Sequence, residues 1–340
     1  MSRRVQIVPA AVGAFSVDEA LAELNARRRA RGKCPITYTL KASCKKRLEA
    51  RLSRTLAVYP TFRDLPKDKG DPIRRLARSG AAVAGPETLH AVDEMTSALH
   101  AEAPWCREVS TFIMLYLRAS IAAGTPGLLL PPILLVGDPG CGKSRYALRL
   151  AEIGGVPSRR IDVGSGSAGF RISGVERGWS STAPGVPVET VLATRTANAL
   201  FVVDEVDKAG TAHGTSGGAT CVTTSLLEML EPATAARFEC PAYRLPFDLS
   251  HLVWVLTANR LDTVPAPIRD RCRVFHIPNP APADLVAVFD RQTSDIDDRE
   301  LVRDARTKLT SGLASGGVSL RQLRAFIDAV RAFSTKPEFH

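Results

Sequence analysis

The segment Gly137–Ser144, with the sequence GDPGCGKS, constrains the fold of this chain more than any other. It follows the apolar run Ile133–Val136 and precedes a stretch in which apolar residues recur at helical spacing. The string fits the pattern G-x-x-x-x-G-K-S/T, whose glycines let successive backbone N–H groups point inward at a helix N-terminus, where negative charge is favoured. The segment therefore predicts a phosphate-binding loop between a buried strand and a helix.

All eight residues of this loop are predicted to bind the nucleotide. They are Gly137, Asp138, Pro139, Gly140, Cys141, Gly142, Lys143 and Ser144. Lys143 is expected to reach the β- and γ-phosphates of ATP, and the Ser144 hydroxyl is expected to hold Mg²⁺. Cys141 is interpreted as a small residue that fits inside the loop.

Short apolar strands alternate with helices between residues 130 and 277, which predicts a parallel sheet. The apolar run Leu200–Asp204 ends in a carboxylate, which is expected to bind Mg²⁺ through water at the sheet edge that carries the phosphate loop. The next residue, Glu205, would then orient and deprotonate the attacking water. A third strand, Leu252–Thr257, is followed by Asn259, whose amide could contact either that water or the γ-phosphate.

The composition limits the classes of protein to which this chain can belong. The chain has 340 residues, of which 45% are apolar, as in an ordinary globular protein. No apolar run reaches the ~18 residues that a membrane span needs, so no membrane association is expected. The seven cysteines include no C-x-x-C pair, which argues against a zinc site or a disulfide framework and favours a cytoplasmic location.

The net charge of +10 is concentrated in the N-terminal quarter. Residues 1–80 contain 19 Lys and Arg against 7 Asp and Glu, a net charge of +12, so the remainder carries −2. A basic region of this kind can bind nucleic acid, but it can equally be a solvated surface or a docking face for an acidic protein.

The order of the motifs resembles that of an AAA+ ATPase, and more closely that of the ATPase module of the Lon family. The similar segments include SGVERGWSSTAPG, FVVDEVDKAG, LLEMLEP, FDLSHLVWVLTANRLDTVPAPIRDR and GVSLRQL, and they span about residues 126–330. The resemblance implies that Asn259 is sensor 1, that Arg321 is sensor 2, and that Arg271 is an arginine finger reaching a neighbouring subunit. Arg269 and Arg273 flank that finger.

The resemblance also implies that Trp179 is the aromatic residue of a substrate-gripping pore loop. The family has an apolar residue after this aromatic, whereas this chain has Ser180. Only 19 residues follow Arg321, far fewer than the ~100 of a typical domain, so no peptidase activity is expected from this chain.

The predicted fold class is α/β: a P-loop NTPase of the AAA+ type, with a parallel sheet, flanking helices, a helical N-terminal region and a small C-terminal helical lid. The predicted divisions are a basic helical region at 1–80, a helical linker packing on the core at 81–125, the nucleotide-binding domain at 126–278 and the lid at 279–340. Because every nucleotide motif begins at or beyond Gly137, residues 1–80 are expected to be dispensable for folding of the ATPase module.

The function that these observations imply is a Mg²⁺-dependent ATPase. The resemblance adds a homo-oligomeric ring, expected to be a hexamer, that remodels or threads a protein client. The alternative is a nucleic-acid-associated motor or loader that uses the basic N-terminal region. A nucleotide-gated scaffold with little turnover is a third interpretation, against which the intact Glu205 argues.

Overall fold

A computed structural model describes residues 3–9, 17–36, 42–47, 49–50, 53, 65, 67–165, 168–176, 182–209, 222–315 and 318–334. Three sequence expectations lie wholly or largely outside these ranges. They concern Trp179, predicted as the pore-loop aromatic, the stretch Ala209–Thr220, whose Gly/Ser/Thr-rich composition predicts a mobile loop, and residues 45–58, whose leucine spacing predicts a helix.

A five-stranded parallel sheet forms the centre of the molecule. Its strands are β3 (Ile133–Val136), β4 (Ser158–Asp162), β5 (Leu200–Asp204), β8 (Val253–Ala258) and β9 (Arg273–His276). Their spatial order is β4-β5-β8-β3-β9. Two antiparallel pairs accompany it: β1 (Arg4–Val5) with β2 (Ala81–Ala82), and β6 (Phe238–Cys240) with β7 (Leu245–Phe247). The predicted parallel sheet and the three predicted strands are therefore confirmed.

Helices cover both faces of this sheet. The N-terminal helices are α1 (Val17–Ala30), α2 (Lys67–Ser79), α3 (Leu89–Glu102) and α4 (Arg107–Ala122). Those of the sheet region are α5 (Lys143–Ile153), α6 (Ala168–Ser173), α7 (Val186–Thr194), α8 (Val222–Leu230), α9 (Pro232–Ala235) and α10 (Ala266–Arg269). The last three are α11 (Pro282–Gln292), α12 (Arg299–Ser315) and α13 (Leu320–Ser334).

The sequences of the central strands are nearly continuous apolar runs because both faces of these strands are buried. Successive side chains of β5 alternate between two hydrophobic clusters, with Phe201 and Val203 in one and Leu200 and Val202 in the other. The second cluster also contains buried side chains of α3, α4 and α5. This packing fixes the carboxyl ends of β3, β5 and β8 side by side.

The first described residues of the chain are built into the ATPase core. Ile7 and Val8 are buried in the same cluster as Phe201 and Trp254 of the central sheet. The backbone N–H of Asp248 donates to the carbonyl of Ile7 at 2.7 Å, and β1 pairs with β2. These contacts favour the opposite of the sequence expectation, and we predict that residues 1–80 are needed to complete the core of the ATPase module.

A helix also replaces part of a predicted connector. The turn-rich sequence over residues 59–72 predicts an irregular connector, but α2 begins at Lys67 and includes Pro72. Ile73, Leu76 and Ala77 lie on one face of this helix and are almost fully buried in the sheet cluster. Burial of this face outweighs the turn preference of the preceding glycine and proline.

The lid is a separate helical unit with its own core. Helices α11, α12 and α13 pack around a cluster that includes Leu285, Phe289, Leu309, Leu323 and Ile327. This agrees with the predicted helical tail. Among the described residues, no helix is both long and apolar enough to cross a membrane.

Candidate functional site: a nucleotide cleft between core and lid

The glycines of the phosphate loop are required by its backbone and its neighbours. Gly140 and Gly142 have φ angles of 89° and 98°, a left-handed region that other residues rarely adopt. A Cβ on Gly137 would lie 2.3 Å from the carbonyl oxygen of Ile277. A Cβ on Gly142 would lie 3.0 Å from Leu320 of the lid, so the loop passes tightly between sheet and lid.

Lys143 lies at the start of α5, is 7% exposed and folds back over the loop. Its Nζ donates to the carbonyl oxygens of Gly137 at 2.7 Å and Asp138 at 2.9 Å. It also donates to Oδ1 of Asn259 at 3.3 Å. The ammonium group is thus held inside the loop by carbonyl oxygens and the Asn259 amide.

The carboxylate of Asp204 is the centre of a buried polar network at the end of β5. The Ser144 hydroxyl donates to its Oδ1 at 2.6 Å, and the Thr257 hydroxyl donates to the same oxygen at 2.8 Å. Its Oδ2 is paired with the guanidinium of Arg160 on β4. The structure therefore places the two predicted metal ligands, Ser144 and Asp204, in direct contact.

The donor set of this network fits Mg²⁺. A hydroxyl and a carboxylate oxygen are hard ligands, and Mg²⁺ is usually held by one or two carboxylates together with substrate phosphates and water. Within the described part of the chain, no group of three or more His, Cys, Asp or Glu side chains could hold a metal on its own. Ser144 and Asp204 would therefore hold the ion together with oxygens of the nucleotide.

Glu205 follows directly on the strand but leaves the sheet with a φ angle of 62°, one of three described non-glycine residues with positive φ. Its backbone N–H donates to the Thr257 hydroxyl at 3.3 Å. Its carboxylate is 40% exposed and pairs with Lys208 at 2.6 Å, and this pairing raises the pKa of the Lys208 ammonium. The turn places the carboxylate in the cleft with one end open to water.

Asn259 lies one residue beyond β8, where its backbone N–H donates to Oδ2 of Asp207 at 3.3 Å. The other carboxylate oxygen of Asp207 is buried, and no hydrogen-bond partner is found for it among the described residues. The amide oxygen of Asn259 faces Lys143, so this side chain reaches the phosphate loop directly.

These side chains line one cleft of about 510 Å³ between the sheet and the lid, a volume typical of small-molecule sites. Predicted residues on its lining are Pro139, Gly140, Gly142, Lys143, Ser144, Asp204, Glu205, Asn259 and Arg321. The lid contributes Arg291 and Arg324 beside Arg321, together with apolar side chains such as Leu323 and Ile327. Gly137, Asp138 and Cys141 are not part of the lining, and the exposed Asp138 accepts a hydrogen bond from Asn279 at 2.7 Å.

Cys141 faces away from the cleft. Its side chain is fully buried, and burial raises the pKa of its thiol despite the nearby Lys143 ammonium. Its carbonyl oxygen accepts a hydrogen bond from the indole N–H of Trp105 at 2.9 Å. The residue thus fills space behind the loop, in agreement with its interpretation as a small residue that fits.

Arg271 is not part of the cleft lining. Its Nη1 donates to the carbonyl of Pro267 at 3.0 Å, and its Nε lies 3.6 Å from a carboxylate oxygen of Glu231. The Arg271 side chain is 35% exposed. The predicted pore residue Trp179 lies outside the described residues.

Sequence reasoning did not single out several residues of the cleft. Arg160 sits in the polar edge strand SRRID, and two adjacent arginines in a short strand were the available signal. Trp105 precedes α4 in a turn with no motif, and Arg324 follows Arg321 by one helical turn. Their positions depend on how the lid and linker pack against the loop, which no local pattern encodes.

Comparison with known proteins gives one family. The ATPase family associated with various cellular activities (AAA) matches residues 133–279, which contain the sheet and the phosphate loop. A Lon protease of Treponema pallidum (strain Nichols) is 36% identical over 191 residues, which are 56% of this chain and 20% of the relative. The mitochondrial Lon protease homolog of Mus musculus is 33% identical over 155 residues, which are 46% of this chain and 16% of the relative.

The matched region thus spans about a fifth of the length of these relatives. Among solved structures, a closed-state reconstruction of Hsp104 with ATPγS and FITC casein has a TM-score of 0.53 and 16% identity. The match covers 92% of this chain and 58% of that chain. At this identity the likeness concerns the fold alone, and it supports the α/β arrangement described above.

Proposed function

Because residues 133–279 match the AAA family of ATPases, we propose that this chain is a Mg²⁺-dependent ring ATPase that remodels or threads a protein client. One observation carries the proposal. Lys143, the Ser144–Asp204 pair, Glu205 and Asn259 come from separate parts of the sequence and converge on one cleft between the sheet and the lid.

The chemistry of this cleft suits phosphoryl transfer to water, which depends on charge neutralisation and an aligned nucleophile more than on covalent catalysis. Lys143 and Arg321 would neutralise phosphate oxygens, and Ser144 with Asp204 would hold Mg²⁺, which supplies further positive charge. Glu205, open to water at one end, would take the proton of the attacking water. Asn259 would orient that water or the γ-phosphate.

The ring part of the proposal concerns Arg271. A charge-stabilising arginine completes many phosphoryl-transfer sites, and it can be supplied by a second molecule. Arg271 lies outside the lining of its own cleft and is partly exposed beside Glu231, which is compatible with use by a neighbouring subunit. We propose that the chain assembles into a homo-oligomeric ring in the cytoplasm. The resemblance to the AAA+ family implies that this ring is a hexamer.

The client part of the proposal concerns Trp179. We expect this aromatic side chain to grip an extended polypeptide, so Trp179→Ala should leave basal ATP turnover nearly unchanged and abolish client remodelling. The measurement is ATPase activity with and without an unfolded model protein such as casein. A melting temperature lowered by several degrees in Trp179→Ala would instead show that the side chain is packed in the core.

The experiment that tests the ATPase site separates binding from turnover. Lys143→Ala should lose ATP affinity, since the phosphates lose their buried cation. Glu205→Gln should bind ATP normally and lose turnover by about 10²–10⁴-fold, since only the proton acceptor is removed. The exposed lid substitutions Lys308→Ala and Glu300→Gln are charge-matched controls and should change neither quantity. Wild-type turnover in Glu205→Gln would contradict the assignment.

A second candidate function, a nucleic-acid-associated motor or loader, is favoured by the placement of basic residues. Arg27 in the last turn of α1 donates to the carbonyl of Arg78 in α2 at 3.5 Å, which brings two basic helix ends together. If this surface binds nucleic acid, affinity for plain duplex DNA should fall steeply with salt concentration. Absence of such binding at low salt would remove this candidate.

A further inference from the structure

The Asp204 carboxylate needs a counter-ion, and the described structure supplies one. Its side chain is only 2% exposed, and a buried carboxylate that lacks a positive partner is strongly destabilising. Ser144 and Thr257 contribute neutral hydroxyl donors to Oδ1. The positive charge comes from Arg160, which is paired with Oδ2. The nearby ammonium of Lys143 is instead bonded to loop carbonyls and Asn259.

Arg160 can both reach this carboxylate and leave it. It lies on the edge strand β4, two residues before Asp162, which is in register with Asp204 on β5. Its side chain is 57% exposed and lines the nucleotide cleft. Releasing the guanidinium into the cleft therefore exposes it to water and does not bury an unpaired charge.

Resting on the proposed Mg²⁺-dependent function, we propose that Arg160 is the counter-ion of Asp204 in the metal-free protein and competes with Mg²⁺ for that carboxylate. The Arg160 guanidinium and Mg²⁺ would both bind the buried Asp204 carboxylate, and two positive charges a few ångströms apart repel each other. Loading of the metal with the nucleotide therefore displaces Arg160 from Asp204. Arg160 acts as a positioning residue that keeps the site folded and neutral between turnovers.

The test compares Arg160→Gln with Arg159→Gln. Arg159 is the adjacent residue on β4, is also exposed, and points to the other side of the strand, so the two substitutions remove the same charge from neighbouring positions. Two readouts are independent of turnover: the melting temperature in EDTA, and the binding of a fluorescent ADP analogue titrated with buffered free Mg²⁺.

Arg160→Gln is expected to lower the melting temperature in EDTA by about 3–6 °C, and Mg²⁺ with ADP should close most of that gap. The Mg²⁺ concentration for half-maximal ADP binding should fall by about three- to tenfold, because the competing cation is gone. Arg159→Gln should match the wild type in both. If Arg160→Gln does not fold, Arg160→Gln/Asp204→Asn should fold, because the carboxylate that needs the counter-ion is also removed.

The proposal is overturned if Arg160→Gln melts like Arg159→Gln in EDTA, or if its half-saturating Mg²⁺ concentration is unchanged or rises. A rise would mean that Arg160 orients Asp204 for the metal and does not compete with it. The proposal is also overturned if Arg160→Gln does not fold and the double variant Arg160→Gln/Asp204→Asn does not fold either. If the wild type itself binds ADP without any dependence on Mg²⁺, it is the proposed function that fails.

Discussion

At the residue scale, the site is organised by buried polar groups that have well-defined partners. The loop residues, Asp204, Glu205 and Asn259 could be chosen from the sequence because each follows an apolar run at a strand end, and parallel strands align those ends. Arg160 could not be chosen, because its role depends on the register between β4 and β5. The roles assigned to these side chains stay predictions until they are tested by substitution.

Cys141 gives a prediction about pH. Because burial raises the pKa of its thiol, the reactive thiolate is scarce at pH 7–8 and increases only as the pH rises beyond the usual cysteine range. N-Ethylmaleimide should therefore label exposed Cys34 long before Cys141, as followed by mass spectrometry. Loss of ATP binding should follow labelling of Cys141 and be faster at pH 9.5 than at pH 7.5. Rapid labelling of Cys141 at pH 7.5 would contradict its burial.

Asn198 gives a prediction about stability. It is fully buried, accepts a hydrogen bond from Ala84 N–H at 2.8 Å, and donates to the carbonyls of Ala84 at 2.7 Å and Leu128 at 2.9 Å. Asn198→Ala would leave these backbone groups without partners and should lower the free energy of unfolding by about 2–4 kcal/mol in urea melts. Asn279→Ala, which loses an exposed hydrogen bond to Asp138, is the control and should have a much smaller effect.

At the element scale, the sequence predicted the strands that are buried on both faces and missed those that are not. The strands β3, β5 and β8 are apolar except for Asp204 at the end of β5 and Thr257 near the end of β8, so their signal is local. The edge strand β4 has the sequence SRRID, and its pairing with β5 is what makes it a strand. Helix α2 was missed for the related reason that its first half has a turn-like sequence, whereas the burial of Ile73, Leu76 and Ala77 in its second half depends on tertiary packing.

The packing of α2 predicts that the N-terminal region is required for folding. Leu76 is fully buried against the sheet cluster, so Leu76→Ala should lower the free energy of unfolding by about 2–5 kcal/mol. Arg75→Ala changes the neighbouring exposed residue and should have little effect.

Removal of residues 1–80 tests the same packing more severely. It deletes β1 and α2 together and removes the buried cluster residues Ile7, Val8, Ile73 and Leu76. The truncated protein should therefore be insoluble or fail to bind ATP. A soluble truncation with wild-type ATP affinity would show that this packing is not needed.

At the scale of the whole molecule, the proposed function depends on cooperation between chains. In that proposal the cleft would supply its own metal ligands and water-activating carboxylate, whereas Arg271 lies outside it beside Glu231. We expect Arg271→Ala to bind ATP normally and to lose turnover by about 10³–10⁵-fold, the range for an arginine finger in switch GTPases. The flanking substitutions Arg269→Ala and Arg273→Ala are matched controls. If either lost ATP turnover to the same extent, the arginine-finger role would be assigned to that residue.

Subunit mixing tests the central claim most directly, namely that ATP hydrolysis at this cleft is completed by an arginine from a neighbouring chain. Each variant is expected to be inactive alone. Arg271→Ala lacks the arginine finger, and Lys143→Ala lacks the cation that binds the phosphates. When the two variants are co-assembled, some interfaces place the intact phosphate loop of an Arg271→Ala subunit beside the intact Arg271 of a Lys143→Ala subunit. Steady-state ATP turnover should therefore partly return. Wild-type specific activity should also rise with protein concentration. A mixture that stays inactive, together with wild-type activity that persists unchanged down to a demonstrated monomer, would contradict the account.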